Sequence, residues 1–182
     1  MEATDILSNE HQVILRVIAA LECAAQKLES GQAVRPAFFL DAADFIKGFA
    51  DGCHHQKEEG VLFKRMVENG MPKDSGPIAV MLSEHEQGRA FTRAMREAAI
   101  LLQAGNNNAV PSVVKNARDY AALLKEHIYK EDNVLFPMAE RVIPLEQQVN
   151  VTMEFDHIEH EETGTGVHEK YLTLAEKLEK EM

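Results

Sequence analysis

The stretch His54–Phe63, HHQKEEGVLF, decides the fold because the chain contains it twice. The same order of histidine, lysine, two acids and Val-Leu-Phe returns 73 residues later at His127–Phe136, without a gap. Each copy has a histidine four residues before a glutamate, a spacing that stacks the two side chains on one face of an α-helix. A histidine and a carboxylate that face the same point are donors for a metal ion. The repeat therefore predicts two helices that share one metal-binding centre.

The repeat extends beyond these two helices. His11 lies 43 residues before His54, and His85 lies 42 residues before His127; both follow a Ser-x-Glu or Ser-Glu sequence. The chain is thus expected to contain two similar helical hairpins, related by a pseudo-twofold axis, whose histidines and glutamates meet at the centre. The predicted metal ligands are His11, His54, Glu58, His85, His127 and Glu131.

Apolar residues at three- and four-residue spacing predict helices over residues 4–30, 36–69, 77–103 and 111–142. Four long helices with short connections predict an all-α protein, an antiparallel up-down four-helix bundle over residues 1–145. Residues 146–182 are helical in composition and predict a C-terminal extension packed on the bundle, with a hinge at 163–166. Gly48 and Gly52 lie in the second helix, and close packing or a kink is expected there.

Composition excludes several classes of partner. The 182 residues carry a net charge of -11, which argues against a nucleic-acid backbone or an anionic membrane. No apolar run approaches the roughly 18 residues of a membrane span, and the polar N-terminus resembles no secretory signal, so a cytoplasmic location is expected. Cys23 and Cys53 match no zinc-binding spacing and are expected to be buried thiols within helices.

A structural role must be weighed against metal binding. A single histidine in an apolar stripe is more often a partly buried core residue than a ligand. A glutamate in such a stripe is harder to explain, because burying an unpaired carboxylate costs several kcal/mol, of the order of 3–5. Four histidines and two glutamates at matched positions favour a metal site. Nitrogen and carboxylate donors suit iron, manganese or zinc, and two carboxylates bridging a pair of ions is the arrangement of a di-iron site.

The motifs HHxxEExxLF and HxxxEDxxLFP, together with the histidines of the first and third helices, resemble the hemerythrin-like, HHE cation-binding proteins. The resemblance covers residues 4–142. It implies a non-haem centre of two carboxylate-bridged iron ions, held by the six residues named above. Members of this family bind or sense O₂ or NO, store or supply iron, or help to repair iron–sulfur centres, and a redox partner is possible.

The sequence departs from the oxygen-carrying pattern, which has two histidines four residues apart on the third helix. Met81 and Arg89 occupy the positions four residues either side of His85, so one histidine is missing and simple reversible O₂ carriage is less expected. The carrier pattern would also select Asp132 in place of Glu131, whereas the internal repeat selects Glu131.

Two further histidines remain open as ligands. His55 forms a second possible pair with Glu59, displaced by about 100° around the helix, on a face that is expected to be more exposed. His168, in the C-terminal extension, would be able to replace the missing histidine if the hinge brings it to the bundle.

Three functions are compatible with these residues. The first is a di-iron protein that binds O₂ or NO for sensing, scavenging or iron storage. The second is a di-iron enzyme, or a factor that repairs iron–sulfur centres or donates iron. Whether the chain is an enzyme stays open, because no general base or substrate pocket can be identified beyond the metal residues. The third is a metal-free helical adaptor.

Overall fold

The computed structural model describes residues 1–164 and 166–182, without the side chains of residues 161–163. The described chain is all-helical and contains no strand, which confirms the prediction of an all-α protein. None of the described helices is long and apolar enough to cross a membrane.

Six helical rods follow one another along the chain, and the first four agree with the predicted bounds to within a few residues. The second, third and fourth rods each have a proline in the first turn, where it loses no helical hydrogen bond. Gly31, at a φ of 76°, ends the first rod in the left-handed conformation that favours glycine. The rods are α1 (Glu2–Glu29), α2 (36–68), α3 (Gly76–Gln103), α4 (110–142), α5 (145–164) and α6 (Val167–Glu181).

Both repeated motifs contain π-helical turns, although His127 and the next three residues lie in regular α-helix. In α2 these turns are Ile46–His55 and Glu58–Leu62, and in α4 the turn is Glu131–Leu135. A π-helical turn contains more residues than the 3.6 of an α-helix, so successive side chains are rotated by less than about 100°. More neighbouring side chains can therefore face the same side of the helix at these positions.

Two apolar clusters hold the rods together, one on each side of a polar centre. One is built around residues such as Ile18, Phe45 and Tyr120, and the other around residues such as Leu62 and Met81. In each of the first four rods, one end contributes residues to the first cluster and the other end to the second. The predicted metal-binding residues lie between these two ends. The fold therefore places the polar centre between two hydrophobic cores.

The C-terminal rods join both cores. Val151, Phe155 and Ile158 of α5 are buried in the cluster around Leu62, and α6 packs against α1 and α2. Gly164 and Gly166 both have positive φ between the two rods. Thr165, in the predicted hinge, lies outside the described residues.

The close packing expected near Gly48 is made by α6. The Tyr171 ring lies so close to the Gly48 backbone that a Cβ atom there would overlap it. Gly48 thus gives α6 its position on α2.

We expect Gly48→Ala to destabilise the protein by about 1–3 kcal/mol, because the added methyl forces Tyr171 or the backbone to move. Urea unfolding measures this change. Gly60→Ala is the matched control: its Cβ would meet only Ile158 Cδ1, at 3.9 Å, so helix propensity predicts no loss of stability. If Gly48→Ala costs as much in a Tyr171→Ala background as in the native chain, Tyr171 is not the cause.

Candidate metal centre

Two fully buried carboxylates, Glu58 of α2 and Glu131 of α4, form the middle of the polar centre. The structure brings all six sequence-predicted residues together around them and adds His55. The donor atoms form two groups, within each of which they lie no more than 4.8 Å apart. The first group is His11, His54, Glu58 and Glu131, and the second is His55, Glu58, His85 and His127. We call these groups the first site and the second site.

Each central carboxylate faces both sites. Glu58 Oε1 lies 3.4 Å from His54 Nε2, and its Oε2 lies 3.5 Å from His85 Nε2. Glu131 Oε2 lies 3.2 Å from His11 Nε2, and its Oε1 lies 3.2 Å from His127 Nε2. The two oxygens of each glutamate are thus divided between the sites, which is the geometry of a bridging ligand.

All five histidines are oriented in the same way by an outer carboxylate. Because a carboxylate can only accept, the Nδ1 atom of each ring donates the hydrogen bond, and the Nε2 atom is the one that faces the centre. Four of these bonds measure 2.9 Å and the bond between His85 and Glu59 measures 2.7 Å. The pairs are His11 with Asp132, His54 with Glu10, His55 with Asp51, His85 with Glu59, and His127 with Glu84.

The outer carboxylates follow the internal repeat. Glu10 and Glu84, each directly before a histidine, orient the histidine of the following helix. Glu59 and Asp132 each come directly after a central glutamate: Glu59 of α2 orients His85 of α3, and Asp132 of α4 orients His11 of α1. Asp132 therefore lies outside the centre, and Glu131 occupies the position that corresponds to Glu58.

The expectation that His55 lies on an exposed face is wrong. Its side chain is buried, and its ring stacks on that of His85 with the centroids 3.8 Å apart. The π-helical turn explains the difference, because it reduces the rotation between His54 and His55 below the α-helical value. Of the carboxylates near His55, Asp51 and not Glu59 is its hydrogen-bond partner.

His168 does not reach either site. Its Nδ1 lies 3.3 Å from Glu159 Oε1, and its ring packs against Phe49. It belongs to a separate group of donors with Glu10, Cys53 and Glu159. The fifth histidine of the centre is therefore His55, although its position in the repeat corresponds to Ile128 and the internal symmetry gives no indication of it.

Burial and neighbouring charges together set the pKa values of the side chains in the centre. Burial raises the pKa of Glu58 well above the usual range, and the neighbouring Glu131 adds to this effect. Glu131 also loses solvation, but its histidine neighbours hold its pKa well below the usual range. Burial lowers the pKa of His54 to about 4, whereas contacts with Asp132 and Glu131 outweigh burial and raise that of His11 to about 9.

The centre leaves its most polar atoms without partners. Both carboxylate oxygens of Glu58 and of Glu131, and Nε2 of His11, are buried and lack a hydrogen bond. Leaving buried carboxylates uncompensated is costly, and divalent cations would compensate them. The residues therefore fit a pair of metal ions with nitrogen and oxygen ligands.

Lys57 is a participant that the spacing argument did not identify, although a lysine occurs in both copies of the repeat. Its ammonium group is fully buried and donates to Glu10 Oε1 at 2.5 Å and to Glu159 Oε2 at 2.8 Å. Lys130 makes the corresponding bond to Glu84, but its side chain is 37% exposed. Only Lys57 is thus enclosed by the C-terminal extension.

Comparison with known proteins confirms the resemblance seen in the sequence. The hemerythrin HHE cation-binding domain matches residues 2–139. An uncharacterized protein of Mycobacterium tuberculosis is 22% identical over 180 residues, which are 99% of this chain and 70% of the relative. The iron-sulfur cluster repair protein YtfE of Yersinia pseudotuberculosis is 28% identical over 141 residues, 75% of this chain and 63% of that protein. No solved structure matches the chain.

We expect Lys57→Met to destabilise the protein by about 3–5 kcal/mol, since it leaves buried Glu10 without its cation. Lys130→Met is the matched control, and its expected cost is below about 1 kcal/mol because Lys130 is partly exposed. Chemical denaturation of the metal-free variants measures both values. Equal costs for the two variants would contradict the enclosed position of Lys57.

Proposed function

The chain belongs to the hemerythrin HHE cation-binding domain family, and we propose that it is a non-haem di-iron protein that binds O₂ or NO for sensing, scavenging or iron storage. The observation that carries this proposal is the division of the Glu58 and Glu131 oxygens between two groups of histidines. Such an arrangement fits two ions that share both carboxylates.

In this proposal His11 and His54 hold one ion, while His55, His85 and His127 hold the other. Glu58 and Glu131 bridge them, and the same donors would accept manganese or zinc. Iron bound there would supply the affinity for a diatomic ligand. Since the first site has one histidine fewer than the second, it leaves more coordination positions open for that ligand.

The chain's own residues preorganise this centre. The outer carboxylates hold each Nε2 toward the middle, which removes the need for the rings to reorient when metal binds. Phe136 stacks on His11 at a centroid distance of 5.5 Å, and Phe63 stacks on His85 at 6.1 Å. These rings exclude water from the side of the centre that faces the cluster around Leu62.

We further propose that residues 1–145 form the antiparallel four-helix bundle and that residues 146–182 form an extension packed on it. The order of contacts supports this arrangement: α1 packs against α4, α4 against α3, and α3 against α2. We place the protein in the cytoplasm, where a redox partner would return the iron to the state that binds the ligand.

Metal analysis tests the di-iron proposal. Protein purified without oxygen is expected to contain two iron ions per chain and to change its absorption spectrum with O₂, NO or azide. The Glu58→Gln/Glu131→Gln double variant is expected to lose both ions, because it removes the shared ligands. Glutamine has nearly the shape of glutamate, so the variant is expected to remain folded, which circular dichroism checks.

Glu22→Gln/Glu29→Gln is the matched control, because both glutamates form exposed ion pairs far along α1 from the centre. It should retain two iron ions. Native protein without a stoichiometric transition metal would contradict the proposal and favour the metal-free adaptor.

A second candidate function is repair of iron–sulfur centres or donation of iron. The relatives named for iron–sulfur cluster repair favour it, although the chain spans less than two thirds of their length. Lys57 is enclosed and Lys130 is partly exposed, so the two halves of the centre differ in their access to solvent. This difference would allow one ion to be released more readily than the other.

For this second function we expect iron-loaded protein to restore a cluster in an apo iron–sulfur protein faster than the same concentration of free iron does. The rate of cluster formation, followed by absorbance with sulfide and a reductant present, measures the transfer. A rate equal to that of free iron would favour ligand binding or storage instead.

A further inference from the structure

A basic cavity of about 530 Å³ lies between α2 and α3, beside the second site. This volume is within the range of small-molecule sites. Its charged lining consists of four cationic and two acidic side chains. They are Lys47, Arg89, Arg93 and Arg96, with Asp44 and Asp51.

The cavity is unusual because the chain as a whole carries a net charge of -11. Arg89, Arg93 and Arg96 follow one another at spacings of four and three residues, which places their side chains on one face of α3. Lys47 adds a fourth cation from α2. Cations brought together in this way repel one another unless an anion lies between them.

The acidic side chains of the cavity do not neutralise all of these cations. Arg96 pairs with Asp44, and Arg89 contacts Asp51, Glu59 and Glu86. Among the described side chains, no carboxylate lies within ion-pairing distance of Lys47 or Arg93. Both are exposed at the mouth of the cavity and available to a ligand.

We propose that this cavity binds a small anion with carboxylate or phosphate groups. The guanidinium of Arg93 suits such groups because it can donate two parallel hydrogen bonds, and the Lys47 ammonium adds a point charge. Arg89 and Arg96, whose charges are offset by their acidic partners, add guanidinium N–H donors at the walls of the cavity.

The anion would also influence the second site. Asp51 lines the cavity, accepts the 2.9 Å hydrogen bond from His55 Nδ1, and lies 3.4 Å from Arg89 Nε. An anion that attracts Arg89 changes the charge around Asp51, and through it the orientation of His55. This coupling rests on the proposed metal centre, whereas binding of the anion does not.

Calorimetric titration of the metal-free protein tests the binding. Inorganic phosphate and citrate serve as probes, and chloride keeps the ionic strength constant. We expect saturable binding of one anion per chain, weakened at least about tenfold in Lys47→Gln/Arg93→Gln, because each lost charge-assisted bond is worth about that factor. The ratio of the phosphate and citrate affinities identifies which anionic group the cavity prefers.

Lys125→Gln/Arg141→Gln removes the same charge from other surfaces and is the matched control, expected to retain affinity within about twofold of the native protein. Absence of saturable binding, or an equal loss in both double variants, would overturn the cavity as the site. Failure of iron binding would leave this result unaffected, since no metal is present.

Nuclear magnetic resonance of the histidine rings tests the coupling. Saturation with the anion is expected to shift the ring signals of His55 and to leave those of His11, which Asp132 orients, in place. Anion binding without a shift at His55 would overturn the coupling while the binding site itself stands.

Discussion

The facing carboxylates of Glu58 and Glu131 are the constraint on which the rest of the structure depends. Both are buried, and their oxygens have no hydrogen-bond partners. Two such carboxyl groups between two hydrophobic cores are costly unless protons, histidines or metal cations compensate them. The histidines around them, each oriented by an outer carboxylate, supply donors for those cations. The apolar clusters on either side then keep the centre dry and its geometry fixed.

The internal repeat explains why the same hydrogen bonds and ion pairs occur in both halves of the centre. In both halves a carboxylate before one histidine orients the next histidine, and a lysine from the repeated motif binds that carboxylate. The halves differ where the C-terminal extension covers one lysine and leaves the other partly exposed. They differ again at His55, which has Ile128 as its counterpart. A symmetric scaffold thus carries two chemically unequal groups of metal donors.

The surface near the second site adds a further asymmetry. A cluster of arginines on α3 interrupts an otherwise acidic chain and reaches Asp51, which orients His55. His55, which has no counterpart histidine in the repeat, is therefore also hydrogen-bonded to a residue of the basic cavity, Asp51. In our proposal, an anion bound in that cavity would act on the second site and not on the first.

Much of this was determined by the sequence alone. Spacing of apolar residues, first-turn prolines and terminal glycines decides where helices begin and end, because these effects are local. The offset of 73 residues between the two motifs predicted that His54, Glu58, His127 and Glu131 would meet. This prediction needs no information on how the helices pack, because equivalent residues of a repeat are expected to occupy equivalent positions.

The tertiary structure decided the features that depend on helix geometry and on distant segments. With α-helical rotation, His55 was expected on a more exposed face and stayed open as a ligand, whereas the π-helical turn buries it beside the other histidines. The partners of the histidines come from other helices, so no spacing reveals them. The position of His168 depended on where α6 packs, which the contact of Tyr171 with Gly48 determines. Local rules fix the elements, and only packing fixes which side chains share the centre.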